Sequence, residues 1–317
     1  MTFTIGMFAT SSPLSSERRR SDFSYLKSKG INIIEAKNLR RRTGHTAGSI
    51  KERVEAIQAL LMNKKVNVLM AYWGGANTNQ LLPYVNYDLF SKFNKPVIGF
   101  SDTSALLLAL HKFSKIVTFL GPAGITFDKP QPFEYTFDYF KKIVVDKCKG
   151  VLIEDSMEFA DDQYFLREDP SYRIKNKNSG RKIFREGSAN AEIVASNLQT
   201  LLVLAGTRFF PELRGKVLFL EEAEEENTQM IHRFFTHLSH VVDFNLLKGI
   251  CIGRFSSQSG FSSEDMEETI YADVFKGINI PIIYNLDFGH TDPMFTIPIG
   301  GRAVIDTRKG LLKIEMS

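Results

Sequence analysis

The sequence predicts an α/β protein with a mainly parallel N-terminal sheet flanked by helices, followed by a smaller C-terminal domain that passes from α/β to β-rich. In residues 1–125, short apolar runs alternate with helical patterns. This order is typical of parallel sheets that are covered on both faces. Near the C-terminus, apolar and polar residues alternate around an Arg-Lys-Gly turn, which indicates a β-hairpin.

Individual elements follow from the same periodicities. In the first half, the apolar segments TFTIGMFA, NVLMAY and PVIGF predict strands, and residues 21–29 and 49–63 predict helices. Ser49 and Glu52 have the spacing of a capping box at the start of the second helix. In the second half, KVLFLEE, GICIGRF and PIIYNLDFG predict strands, and residues 197–206 and 228–241 predict helices.

The periodicity fails between residues 154 and 187, where Asp, Glu, Lys, Asn, Ser and Gly dominate. Such a stretch indicates a linker or a long active-site loop. A chain of 317 residues is long enough for two domains. We therefore predict an N-terminal domain over residues 1–153, the intervening segment 154–187, and a C-terminal domain over residues 188–317.

Composition is typical of a soluble globular protein and favours a reducing cytoplasm. No apolar run approaches the roughly 20 residues that a membrane span needs, so no membrane partner is expected. The N-terminal segment MTFTIGMFATSSP has no basic stretch before its apolar run and is more typical of a first strand than of a signal peptide. Cys148 and Cys251 suggest no disulfide framework, which favours a cytoplasmic location.

The net charge is only +4, but basic residues cluster in residues 37–53 and 167–185. These clusters are either a solvated surface or a basic rim that attracts an anionic substrate. No nucleic-acid-binding motif accompanies them, so no nucleic acid partner is expected.

A first chemically suggestive segment is PVIGFSDTSALLL, in which a predicted strand turns at Gly99–Asp102 directly into a helix. Such a turn holds the Ser101 hydroxyl clear of the sheet, beside the backbone N–H groups of the helix start. Alternatively, Ser101 is only the N-cap of a helix over residues 103–113.

Two further segments follow predicted strands. Gly74 and Gly75 come after NVLMA and Tyr72-Trp73, where a Gly-Gly turn can donate an N–H group to an oxyanion or serve only as a turn. His290 lies in DFGHTDP, in a loop that can present an imidazole to a cleft or simply to solvent.

Other candidate groups carry less information. His232, His237 and His240 share one predicted helix, but metal ligation would need further ligands that the sequence does not identify. We expect no metal and no cofactor. The acidic run from Glu221 to Glu226 ends a predicted strand, and one of its members could be a buried acid partner.

Taken together, these segments resemble the LD-carboxypeptidase family of serine peptidases. The resemblance covers nearly the whole chain, in the family's order: GG with NQLLP at 79–83, GFSDTSAL at 99–106, GP at 121–122, SNLQTL at 196–201, VLFLEE at 217–222, and GHTDPM with IPIG at 289–300. The phrases TNQLLPYVNYDLF and EYTFDYFKK are similar to the branch that includes microcin C immunity peptidases.

The resemblance implies a role for each matching residue. Ser101 would be the nucleophile, Glu221 the acid and His290 the general base of a triad. Gly75 and Asp102 would donate backbone N–H groups to an oxyanion. The serine would lie in the N-terminal domain, and the other two triad residues in the C-terminal domain.

The resemblance also implies substrate-binding residues. Gly74 and Asn197 match family positions, although the family often has Gly-Gly-Asn-Leu where this chain has Ala-Ser-Asn-Leu at 195–198. Immunity peptidases carry a tryptophan near position 159, and this chain offers Phe159, Tyr164 and Phe165 instead. An aromatic ring stacked on a nucleobase contributes about 1–3 kcal/mol.

The roles that the resemblance implies also agree with the general chemistry of serine nucleophiles. A serine hydroxyl is a poor nucleophile until a base takes its proton, and the base needs a carboxylate to hold its tautomer. Glu221 and Glu222 would point to opposite faces of a strand, so only one can reach His290, and we choose Glu221.

We therefore expect a serine hydrolase that cleaves an amide bond near a free carboxylate through an acyl-enzyme. The substrate is either a muropeptide tetrapeptide that loses its terminal D-alanine or a microcin C-type peptidyl or aminoacyl nucleotide. The alternatives are a catalytically silent ligand-binding homologue and a metal-dependent hydrolase that uses the histidine-rich helix. The family resemblance further implies a homodimer.

Overall fold

The computed structural model describes residues 3–14 and 21–316 of the chain. Their strands are β1 Thr4–Phe8, β2 Asn32–Glu35, β3 Val68–Ala71, β4 Val97–Gly99, β5 Thr118–Leu120, β6 Gly150–Leu152, β7 Glu158–Phe159, β8 Asn176–Lys177, β9 Lys182–Arg185, β10 Ser188–Asn197, β11 Val217–Glu221, β12 Gly249–Gly253, β13 Ile282–Leu286, β14 Ile297–Ile299, β15 Arg302–Asp306 and β16 Leu311–Glu315. Their α-helices are α1 Ser24–Ser28, α2 Ile50–Met62, α3 Tyr87–Phe93, α4 Ser104–Ser114, α5 Gly124–Asp128, α6 Glu134–Phe140, α7 Leu198–Val203, α8 Thr228–Val241 and α9 Glu267–Val274.

The first sheet has six strands in the order β14-β5-β4-β3-β1-β2. Strands β1 to β5 are parallel to one another, and β14 joins the edge antiparallel to β5. The central strands β1 and β3 are buried along their whole length, as expected when helices cover both faces of a parallel sheet. The predicted mainly parallel sheet is confirmed.

The second sheet has eight strands in the order β6-β16-β15-β10-β11-β12-β13-β9. Strands β10 to β13 form a parallel centre, and antiparallel strands extend it on both sides. The hairpin of β15 and β16 turns at Gly310, which has a left-handed φ of 63°. The predicted change from α/β to β-rich structure is confirmed.

Strand β10 is the main element that the sequence analysis does not predict. Its first residues, Ser-Ala-Asn-Ala, are small or polar and lack the β-branched pattern of a strand. Pairing with β15 on one side and β11 on the other supplies the backbone hydrogen bonds instead. The tertiary partners therefore decide the structure of this segment.

The two sheets exchange strands. Strand β6 pairs with β16 in the second sheet, whereas β14, which lies between β13 and β15 of the second sheet in the sequence, pairs with β5 in the first sheet. This return brings the loop before β14, including His290, back to the first sheet. The division at residues 153 and 188 stays a prediction.

The segment 154–187 contributes the edge strand β9 to the second sheet, and two further contacts hold its earlier part. Asp287 accepts a hydrogen bond from the backbone N–H of Ser156 at 2.8 Å and another from Nη2 of Arg254 at 2.6 Å. Ala160 and Asp292 exchange backbone hydrogen bonds of 2.7 and 2.9 Å. The segment therefore packs over the loop that carries His290.

Within residues 3–14 and 21–316, no helix combines the length and the apolar character that crossing a membrane requires.

Helix α2 begins with the predicted capping box. The Ser49 hydroxyl accepts a hydrogen bond from the backbone N–H of Glu52 at 3.3 Å, and the Glu52 carboxylate accepts one from the backbone N–H of Ser49 at 2.9 Å. Both bonds satisfy N–H groups that a helix start would otherwise leave without partners.

Replacing Ser49 by alanine should lower the free energy of unfolding by about 1 kcal/mol, because one N-terminal N–H group loses its acceptor. Chemical denaturation measures the change. Lys51→Ala is the matched control on the same turn, since Lys51 is exposed and its ion pair with Glu55 spans 3.9 Å. A loss that is equal in both variants would contradict the role of the cap.

Candidate active site

One large cavity is lined by residues from both halves of the chain and from segment 154–187. Its volume is about 1650 Å³, larger than the roughly 300–1000 Å³ of common ligand pockets. Ser101 and His290, which are far apart in the sequence, both line it. The fold therefore brings these two residues to one site.

Ser101 follows β4 in a strained turn. Its φ is 58°, in the left-handed region that non-glycine residues avoid, and it begins a short 3-10 helix, Ser101–Thr103, that runs into α4. Thr103, and not Ser101, is the N-cap of α4, so the capping alternative is wrong. The Ser101 hydroxyl has no hydrogen-bond partner among the described residues. A serine on a strained turn between a strand and a helix is typical of a nucleophile elbow.

The Gly-Gly turn approaches Ser101 so closely that side chains would not fit. A Cβ atom on Gly74 would lie 3.0 Å from Cβ of Ser101 and 3.4 Å from the backbone nitrogen of Asp102. Gly75 has a φ of 136°, and a Cβ atom there would lie 2.4 Å from Oγ of Ser12. Glycine is therefore required at position 75, and a side chain at position 74 would crowd Ser101.

Hydrogen bonds hold this turn against the serine turn. Oγ of Ser11 accepts from the backbone N–H groups of Ala76 at 3.1 Å and Asn77 at 2.8 Å. The buried Asp102 carboxylate accepts from the backbone N–H and the hydroxyl of Thr78 at 2.9 and 2.7 Å. Burial raises the pKa of Asp102, and these hydrogen bonds oppose that rise. The sequence analysis used only the N–H group of Asp102 and missed this linking carboxylate.

Glu221 contacts His290 at the end of β11. Oε2 of Glu221 lies 2.6 Å from Nδ1 of His290, and Glu221 is only 1% exposed. A Cβ atom on Gly289, whose φ is 106°, would lie 2.7 Å from Cβ of Glu221. On the other side, a Cβ atom on Gly253 would lie 3.1 Å from the same atom. Because these two glycines have no side chains, the Glu221 side chain has space to lie beside the imidazole.

His290 also contacts the serine turn. The ring of Phe100, the residue before Ser101, meets the imidazole edge-to-face with the ring centres 5.0 Å apart. Burial disfavours a charged imidazole, but the nearby carboxylates of Glu221, Glu224 and Glu222 outweigh it and raise the pKa of His290 to about 9.

Glu222 has different partners, as the alternation of side chains at a strand end requires. Its carboxylate accepts from Nδ2 of Asn197 at 2.8 Å and from the backbone N–H groups of Gln199 at 3.0 Å and Ala223 at 2.8 Å. Burial, followed by the neighbouring Glu221, raises the pKa of Glu222 to about 7. Asn197, which lines the cavity, is oriented further by accepting from the backbone N–H of Thr200 at 2.9 Å.

The Ser196 side chain contributes to the hydrogen bonds that hold the serine turn. The Ser104 hydroxyl donates to the backbone carbonyl of Ser101 at 2.6 Å. Oγ of the fully buried Ser196 lies 3.1 Å from that same hydroxyl. Serine in place of the family's frequent glycine therefore ties β10 to the serine turn, which the sequence analysis did not anticipate.

The predicted stacking residues lie in different surroundings. Tyr164 lines the cavity, with the Arg173 guanidinium 5.2 Å from its ring centre. Phe159 is not among the cavity-lining residues, and the Arg254 guanidinium lies 4.6 Å from its ring centre. The side chain of Phe165 lies outside the described part of the structure. Trp73, which the sequence analysis did not select for stacking, also lines the cavity.

The histidine-rich helix lies elsewhere. His232, His237 and His240 line a separate shallow depression on α8, and Nε2 of His232 lies 3.1 Å from Oδ2 of Asp273. Among the residues whose placement the structure gives, no three His, Cys, Asp or Glu side chains gather as ligands of a metal ion would.

Two descriptions of known protein families match this chain: the LD-carboxypeptidase N-terminal domain over residues 5–121 and the LD-carboxypeptidase C-terminal domain over residues 190–305. The putative carboxypeptidase YocD of Bacillus subtilis is 32% identical over 95% of this chain and 91% of its own length. The microcin C7 self-immunity protein MccF of Escherichia coli is 30% identical over 96% of this chain and 90% of its own length.

A solved structure of MccF in complex with glutamyl sulfamoyl guanosine has 27% identity and a TM-score of 0.91, and the match covers all of this chain and 96% of that one. The two family descriptions together span more than half of the chain, and the relatives and this structure match nearly all of it. This chain therefore belongs to the LD-carboxypeptidase family of serine peptidases.

Proposed function

We propose that Ser101, His290 and Glu221 act as a catalytic triad that hydrolyses an amide bond near a free carboxylate through an acyl-enzyme. The observation that carries the proposal is the 2.6 Å contact between Glu221 and His290 in a cavity that Ser101 also lines. A proton on Nδ1, shared with Glu221, leaves Nε2 of His290 as the base. The Ser101 hydroxyl then attacks the amide carbon as His290 takes its proton.

The same arrangement provides an oxyanion site. The backbone N–H groups of Gly75 and Asp102 are the proposed donors, one from each of the two turns that Asp102 and Thr78 hold together. Each such donor typically lowers the barrier by about 2.7–4 kcal/mol. His290, protonated after the attack, then returns its proton to the leaving amine, and water hydrolyses the acyl-enzyme by the reverse sequence.

The substrate is proposed from two classes. A microcin C-type aminoacyl or peptidyl nucleotide is supported by the similarity to MccF and by the cavity of about 1650 Å³, in which Trp73 and Tyr164 offer rings for stacking on a base. A muropeptide tetrapeptide that loses its terminal D-alanine is supported by the family to which the chain belongs. Turnover assays with both substrates distinguish the two classes.

A cytoplasmic location and a homodimer stay predictions. Light scattering of the purified protein measures the oligomeric state, and cell fractionation the location.

Ser101→Ala should lower kcat by roughly 10⁴- to 10⁶-fold, because the nucleophile itself is lost, with an unchanged melting temperature. Steady-state assays with both substrate classes measure this effect. Ser91→Ala, on α3 and remote from the cavity, is the matched control and should retain full activity. A serine-reactive phosphonate should label the wild-type protein at Ser101. If the wild-type protein shows neither labelling at Ser101 nor turnover of either substrate class, the alternative of a catalytically silent ligand-binding protein is correct.

Glu221→Gln and Glu222→Gln should affect different kinetic parameters. Glu221→Gln should lower kcat by roughly 10⁴-fold, since the imidazole loses the carboxylate that holds its tautomer. Glu222→Gln should act mainly on KM, because Glu222 orients Asn197 and not His290. Equal losses of kcat in the two variants would leave the proposed acid without support.

The activity should increase with pH up to about 9. A general base must be neutral to accept a proton, and the pKa of His290 is raised to about 9. The profile of kcat/KM should therefore rise through that value. In Glu221→Gln, the residual activity should titrate at lower pH, because the charge that raises the pKa is gone. A wild-type profile that is already flat above pH 6 would exclude this assignment.

A further inference from the structure

A cluster of ion pairs lies in the wall of the active-site cavity, at the point where three parts of the chain meet. Lys129 follows α5, Arg173 comes from segment 154–187, and Asp292 lies two residues after His290. Nζ of Lys129 and Nη1 of Arg173 both contact Oδ2 of Asp292 at 2.7 Å. Nε of Arg173 also contacts Asp162 at 2.6 Å. Lys129 and Arg173 both line the cavity.

Lys129 and Arg173 are the lysine and arginine side chains of the described cavity wall. Their partners Asp292 and Asp162 balance their two positive charges. Arg167, which pairs with Asp162 at 3.2 Å, does not line the cavity, and its charge also acts on Asp169. Lys129 and Arg173 can therefore offer an anionic group only the N–H donors that the carboxylates leave unused.

Arg173 also has donors to spare. Its side chain is only 2% exposed, and its hydrogen bonds to described residues use Nε and Nη1 alone. The third nitrogen, Nη2, has no partner among those residues, yet it is not among the polar atoms sealed within the protein. Arg173 lines the cavity, so Nη2 is the nitrogen of this side chain whose N–H donors are still available to a ligand there. Lys129 likewise spends one of its three N–H donors, on Asp292.

Several acidic side chains of the cavity wall, in contrast, accept hydrogen bonds from protein donors. These pairs are Asp102 with Thr78, Asp128 with Tyr72, Asp161 with the backbone N–H of Ser257, and Glu222 with Asn197. They therefore do not compete fully for the cations. Arg173 and Lys129 are the lysine and arginine residues of the described cavity wall, and both keep N–H donors that these carboxylates do not use.

We infer that Arg173 and Lys129 form a subsite for an anionic group of the substrate, either a carboxylate or a phosphate. Asp292 holds both cations on one oxygen atom and keeps their remaining N–H groups directed to the cavity. Asp292 is also in the His290 loop, so the subsite keeps a constant position relative to the proposed base. This inference rests on the proposed function and extends it, because it assigns two residues to the recognition of the substrate's anionic group.

The test measures binding by calorimetry in a Ser101→Ala background, so that no turnover interferes. Two matched ligand pairs are used: a peptide ending in D-alanine and its C-terminal carboxamide, and adenosine 5′-monophosphate and adenosine. At least one anionic member should bind roughly tenfold to a hundredfold more tightly than its neutral counterpart, as expected for a charge-assisted hydrogen bond. Preference for the peptide carboxylate identifies a carboxylate site, and preference for the monophosphate identifies a phosphate site.

Adding Arg173→Met should remove that preference, and Arg173→Lys should restore part of it. Arg181→Met is the matched control, because Arg181 lies in the same segment and pairs with Asp155 outside the cavity wall. If Arg173 only anchored the segment, both members of each pair would weaken equally and the ratio would not change. That result, or no anion preference in the background protein, would overturn the proposal.

Failure of the proposed function would be recognised separately. In that case the protein with Ser101 intact would hydrolyse neither substrate class, while the anion preference and its loss in Arg173→Met would persist.

Discussion

The contact between Glu221 and His290 is the interaction on which the rest of the site depends. An ionised carboxylate that is removed from water is costly unless it is paired, and Glu221 is almost fully buried with the imidazole as its partner. A side chain on Gly289 would collide with Glu221 and one on Gly253 would crowd it, so the two glycines leave space for that pair. Local backbone geometry at two glycines therefore sets the position of the proposed base.

The exchange of strands between the two sheets places this pair opposite the serine. Glu221 ends a strand of the second sheet, whereas the chain after His290 returns to the first sheet as β14. Ser101 follows β4 in that first sheet. Both sheets therefore contribute to the proposed triad, and the Ser196–Ser104 contact links β10 of the second sheet to helix α4, which follows the serine turn.

Charge in the cavity is distributed unevenly. Carboxylates surround His290 and raise its pKa to about 9, whereas cations collect around Asp292 two residues later in the same loop. A loop of a few residues thus lies between an acidic side, suited to the proton transfer, and a basic side, suited to an anion. Segment 154–187 supplies part of the basic side, which explains why a stretch without periodicity can matter for function.

Much of the fold and of the candidate site follows from the sequence alone. Apolar runs predict the central strands because buried parallel strands need them, and the capping box at Ser49 is a local contact between residues three apart. The strand-end positions and neighbouring glycines of Ser101 and His290 mark them as candidates because those features are local too, whereas the family resemblance supplies their predicted roles and that of Glu221. Tertiary structure decided what depends on distant partners. It made a strand of the small and polar β10, directed the Asp102 carboxylate to Thr78, and placed Phe159 under Arg254 instead of in the cavity wall. It also brought Lys129 and Arg173 to the Asp292 carboxylate, which attracts both cations only after the chain has folded.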